Sequence, residues 1–129
     1  MVYFFLLSGL FIGWSMGAND TGNIFGAAVS TRMIKFRKAA LIASIFYTLG
    51  AFLEGSGPSS TLGRLGTVDA IGGAFTVALA AALAIVAIVR LGIPVSVSQT
   101  IVGAIIGWNH FSGRITDFDS LITIASSWI

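Results

Sequence analysis

Residues 71–89, IGGAFTVALAAALAIVAIV, run without a single charged side chain. A backbone wrapped in such side chains has little access to water. Its amides must bond within the segment, which predicts a helix. At 1.5 Å per residue, that run is close to the roughly 30 Å hydrocarbon core of a bilayer. Three other stretches approach it. Residues 2–30 are apolar apart from one polar interruption, residues 39–53 form another run, and residues 93–108 begin with a proline–serine segment. A further apolar run opens near residue 120.

Composition identifies the solvent. Hydrophobic residues make up 56% of the 129 positions and charged residues only 9%. The mean hydropathy is +0.95. A soluble domain carries about 25% charged residues, so this chain has too few to cover a water-facing surface. The expected fold is all-α, a polytopic membrane protein with residues 1–129 as one transmembrane module. A net charge of +2 gives no reason to expect nucleic acid as a partner. With no cysteine, disulfides, thiolate metal sites and a cysteine nucleophile are excluded. The N-terminus lacks the basic region of a signal peptide, and its apolar run is too long for one.

The cations set an orientation. Arg32, Lys35, Arg37 and Lys38 separate the first two runs, and the positive-inside rule makes that loop cytoplasmic. The N-terminus is then outside, in a multi-pass protein of the cell membrane. The second run leads outward into EGSGPSSTLGRLGTVD, whose Gly, Ser and Pro predict a loop. The third returns inward to Arg90. Residues 93–108 either cross outward or dip in and turn back. Arg64 and Asp69 fall in the outer loop as solvated or paired charges. Arg90, Trp108 and His110 suit interfacial anchors.

Two polar clusters interrupt the apolar pattern. In GANDTGN, beginning at Gly17, a carboxylate and two amides stand between glycines. An ionisable group at membrane depth costs at least about 2.5–3.5 kcal/mol, so Asp20 needs a partner, a cation or water. Asn19, Asp20 and Asn23 share a helix face at spacings of three and four. With freed backbone carbonyls they make an all-oxygen set suited to sodium. Gly17 and Gly22 favour a local unwinding that would expose such carbonyls. The alternative is a helix cap at the membrane surface. In PVSVSQT, proline suits the first turn of a helix. Ser96, Ser98, Gln99 and Thr100 then lie near a helix N-terminus, where free N–H groups and the dipole favour an anion. Serine capping alone would also explain that pattern. Interrupted helices of this kind point to a transporter binding site.

Other features are plainer. Gly9, Gly13 and Gly17, and likewise Gly103 and Gly107, recur at the four-residue spacing of closely packed membrane helices. Glu54 closes the second run as an interfacial anchor, or as a gating or proton-coupling group. GPSSTLGR departs from the phosphate-loop pattern. No nucleophile–base set or metal-hydrolase motif is present, so an enzyme is not expected.

GANDTGNIFGAAVSTRMIKFRKAALIASIF resembles the N-terminal signature of the inorganic phosphate transporter family, G-A-N-D-x-x-N. GIPVSVSQTIVGAIIGW resembles that family's second motif, P-V-S-x-[ST]-[HQ]-x-I-V-G-A. The motifs stand in the family's order and together cover about a third of the chain. The resemblance implies secondary transport of phosphate with sodium or protons, by two inverted repeats that each hold both motifs. It implies one such repeat here, with broken helices and a possible re-entrant hairpin. Phosphate would be bound by Asp20, Asn23, Ser96, Ser98, Gln99 and Thr100, and sodium by Asn19, Asp20, Asn23 and Ser98. Many members have histidine where this chain has Gln99, which favours sodium over protons. Members also continue past the span that opens near residue 120. A second repeat, or a second copy of the chain, is therefore an expected partner besides lipid. Sulfate transport on the same fold, a re-entrant-loop channel and a non-transporting assembly subunit are the alternatives.

Overall fold

The computed structural model describes residues 2–66, 68 and 71–129, which form six helices and no strand. The helices are α1 (Val2–Ser30), α2 (Phe36–Glu54), α3 (Ser56–Leu65), α4 (Ile71–Arg90), α5 (Val97–Phe111) and α6 (Phe118–Ser126). By length and composition, α2 and α4 are long and apolar enough to cross a membrane, with mean hydropathies of 1.4 and 2.4.

The helix α1 is continuous through Gly17–Gly22. The unwinding expected from those glycines does not occur. Every peptide group kept in the helix has its own partner, which in apolar surroundings outweighs the freedom glycine offers. At 29 residues, α1 is about 43 Å long.

α1 and α4 run parallel. Phe4 and Phe5 contact Phe75 near both N-termini, and Ile12 lines a cavity with Ala74, Ala78 and Ala81 further along. The buried side of α4 is Gly73, Val77, Ala81, Ala82 and Ile85. The buried positions of α1 are Ser8, Ser15 and Asn19. Ser8 and Ser15 donate to the carbonyls of Phe5 and Phe11 at 3.1 and 2.7 Å, so their hydroxyls are satisfied within the helix. Small side chains on both helices permit close approach.

The glycine rows do not serve this packing. A Cβ placed at Gly9, Gly13, Gly17, Gly22, Gly26, Gly103 or Gly107 would meet nothing within 4 Å. Within this chain those faces are open, contrary to the expectation from their spacing. Serines and alanines offer atoms for dispersion contact where glycine offers none.

α5 returns alongside α4, and its Trp108 indole lies against Gly73. Residues 93–108 therefore run back to the end of the bundle where α4 began. Gly92 makes the turn possible. At φ +75° it ends α4 while Gly92 N–H bonds Val89 O and Ile93 N–H bonds Ile88 O, the pattern of a Schellman cap. Pro94 is not in the first turn of α5. The helix begins at Val97, and Ser96 caps it by accepting from Gln99 N at 3.4 Å.

The segment expected as an outer loop contains α3. Pro58 falls in its first turn, where a missing N–H is tolerated, and Leu62 and Leu65 face one core cluster with Val77, Val102 and Ile105. Arg64 is exposed on α3, whereas Asp69 lies outside the described residues. Asn109, fully buried, ties this corner by donating to Leu65 O and Thr116 Oγ1 at 3.4 and 3.1 Å. Gly66 presses against it, since a Cβ there would lie 2.6 Å from the Asn109 amide. The run opening near residue 120 is the short helix α6. Its cap is Asp117, which accepts from Asp119 N at 3.1 Å and Ser120 Oγ at 2.6 Å.

Gly66→Ala should overpack the Asn109 corner and cost about 1–3 kcal/mol, read as a lower thermal midpoint of the detergent-purified chain. Gly103→Ala, with open space around it, should leave the midpoint unchanged or raised. The bond from Ser120, helped by the backbone N–H groups of Ser120 and Asp119, holds the Asp117 carboxyl below its ordinary range. Its stabilisation is then present above the unfolded carboxylate pKa and lost as pH falls through the depressed value. Amide exchange at the start of α6 should rise in acid, and Asp117→Asn should flatten that rise.

Candidate functional site

The site grows from Asn19. It is 4% exposed, half-way down α1, on the face shared with Ser8 and Ser15. Its Nδ2 donates to Val95 O at 3.0 Å, and its Oδ1 accepts from Val95 N at 3.4 Å. A side-chain amide thus pairs with a main-chain amide across 76 positions of sequence. The same Nδ2 donates to Asp20 Oδ1 at 2.8 Å.

That pairing brings the two polar clusters together. Val95 lies two residues before α5, so the α5 N-terminus stands beside the level of Asp20. Asp20 is half-buried, whereas Asn23, one turn on, is exposed. Ser96, Ser98 and Gln99 are exposed and Thr100 is half-buried. Thr100 Oγ1 is turned back to Ser96 O at 2.9 Å. The side chains of Asn23, Ser98 and Gln99 make no hydrogen bond among the described residues. Their side-chain donors and acceptors are therefore not engaged by the described residues. They comprise amide and hydroxyl groups beside one carboxylate, and the described residues hold no trio of His, Asp or Glu side chains that could bind a metal ion. Such a set suits a weakly polarising monovalent cation and the oxygens of an anion, rather than a transition metal.

Tyr47 was not evident in the sequence as part of this site. It stands on α2 and lines the groove that separates α2 from the Gly17–Gly22 stretch of α1. That groove, of about 930 Å³, is lined by Gly17, Thr21, Gly22, Ala43 and Tyr47 among others. No local motif announces Tyr47; the only signal was a hydroxyl within an apolar run. Val95 was equally hidden, because it acts through its backbone.

Glu54 is not brought to the cluster. It ends α2, exposed, seven residues beyond Tyr47, about 10 Å farther along the helix axis. Arg90 and His110 are exposed at helix ends, while Trp108 packs inward on Gly73.

A protein carrying the name phosphate permease in Pyrococcus furiosus is 30% identical over 135 residues, covering 96% of this chain and 32% of its own length. One from Chlamydia pneumoniae is 31% identical, covering all of this chain and 33% of its own length. Another, from Methanocaldococcus jannaschii, is 34% identical over 105 residues, 81% of this chain and 33% of its own length. The chain thus spans about a third of the length of the curated relatives it matches. No solved structure matches it. Residues 16–129, which include both polar clusters, match the phosphate transporter family, and the chain belongs to that family.

Proposed function

We propose that this chain forms part of a cation-coupled transporter of inorganic phosphate. The observation that carries the reading is the Asn19–Val95 pair, which puts the only carboxylate of α1 next to the N-terminus of α5. The family and the names of the relatives supply the anion. In this reading sodium sits against Asp20, with oxygens from Asn23 and Ser98. Phosphate lies beside it, accepting from the α5 N–H groups and from Ser96, Ser98, Gln99, Thr100 and the Asn23 amide. Asp20 borders both ions. Its negative charge would repel phosphate in the absence of sodium, so the cation lowers the electrostatic cost of admitting the anion. Proton coupling is the alternative, and it is disfavoured because Gln99 does not titrate. Asn19, the remaining expected sodium ligand, is buried with both amide N–H groups already bonded.

The proposed setting is the cell membrane, with the α1 N-terminus outside and the basic loop Arg32–Lys38 in the cytoplasm. A second repeat, or a second copy of the chain, would complete the open faces of α1 and α5. Alternating access would rock one unit against the other. Glu54 stands apart from the ions, so a coupling role for it would act only through movement of α2.

Proteoliposome uptake of labelled phosphate, with sodium and pH gradients varied independently, tests the reading. It should be run with this chain and with a two-repeat version. Uptake should follow the sodium gradient. Asp20→Asn should reduce sodium-dependent uptake by about a hundredfold or more without changing membrane insertion. Undiminished uptake with the same sodium dependence would remove Asp20 from its role. Flux indifferent to any imposed ion gradient would mark a channel instead. Glu54→Gln should leave the sodium dependence unchanged.

A further inference from the structure

We propose that Asn19 is a positioning residue: its amide fastens the Val95 backbone to α1 and so sets where the α5 N-terminus stands relative to Asp20. This rests on the reading above, in which Asp20 and the start of α5 share one ion site.

A primary amide has two N–H donors and one carbonyl oxygen. Both donors of Asn19 are spent, on Val95 O and Asp20 Oδ1. The oxygen is directed to Val95 N. The whole side chain is buried, so an arriving ion would have to displace these partners to reach it. Asn23 differs in each respect. It is exposed, and its side chain makes no hydrogen bond among the described residues. Two asparagines four apart on one helix therefore do different work, one ligating and one holding.

What Asn19 holds is the middle of a segment tied only at its ends, where Ile93 N–H bonds Ile88 O and Ser96 caps α5. Residues 93–96 have no regular secondary structure. Among the described residues, their hydrogen bonds to α1 are the two made by Asn19. A backbone in apolar surroundings needs such partners, and Val95 has no strand or helix to provide them. The bond to Asp20 Oδ1 orients the carboxylate from the same amide. One side chain thus fixes the cation-binding oxygen and the anion-binding helix start in a common frame.

The test uses the full chain in lipid nanodiscs, with hydrogen exchange read over residues 91–97 and the affinities for inorganic phosphate and sodium measured separately. Asn19→Asp retains oxygens that could ligate sodium but loses both N–H donors. Val95→Pro removes the backbone N–H and leaves the side chains of Asn19, Asp20 and Asn23 intact. Both variants should speed exchange at Val97 and weaken phosphate binding, each by about tenfold, while exchange in α4 stays as in the parent. Asn23→Ala should weaken sodium binding and leave exchange over 91–97 unchanged. The proposal is overturned if Asn19→Asp exchanges like the parent, or if Asn19→Ala loses sodium affinity alone. If the parent chain binds neither ion, the transport reading fails, and the exchange data still decide whether Asn19 holds Val95.

Discussion

One amide pair, Asn19 with the backbone of Val95, determines what the rest of the molecule can do. α1 is one continuous helix, and α4 and α5 form a hairpin whose turn lacks regular structure. Packing of Phe4, Phe5 and Ile12 against α4 brings the two together along their length, but dispersion contact is tolerant of sliding. A hydrogen-bonded pair with both a donor and an acceptor on each side is not. It fixes the register of α1 against the hairpin at one depth, and that depth is where Asp20 stands. The same pair satisfies a main-chain N–H and C=O that apolar surroundings would otherwise leave unpaired.

Much of this was legible in the sequence, for reasons that differ between elements. Residues 71–89 had no alternative to a helix, because nothing in them could satisfy a backbone in any other way. The polar clusters could be found because each violates an apolar pattern, and their juxtaposition followed from the likeness of both motifs to one family. Three things were not legible. The continuity of α1 was hidden because glycine permits unwinding without requiring it. α3 was hidden because Ser, Gly and Pro are weak helix formers, and only the packing of Leu62 and Leu65 on Val77 and Ile105 decides the matter. The contact face of α1 was hidden because the glycine row looked like the packing face, whereas the buried row is Ser8, Ser15 and Asn19.

Those unused glycine faces follow from the same geometry. Gly13, Gly17, Gly22 and Gly26 line the α1–α2 groove, and apart from adjoining α1 backbone a Cβ on any of them would meet nothing within 4 Å among the described residues. The outer surface carries large exposed apolar side chains, among them Phe46, Phe52, Leu53 and Ile122. The chain spans about a third of the length of the curated relatives it matches.

The continuity of α1 has a mechanical consequence. Up to Asn19 the helix is bound to the hairpin. From Gly13 to Ser30 its other side lines the groove facing α2. A broken helix would act as a hinge and let its two halves move independently. An unbroken one acts as a beam. With no break at Gly17 or Gly22, the residues that line the α2 groove and the Asn19–Asp20 pair belong to one helical unit.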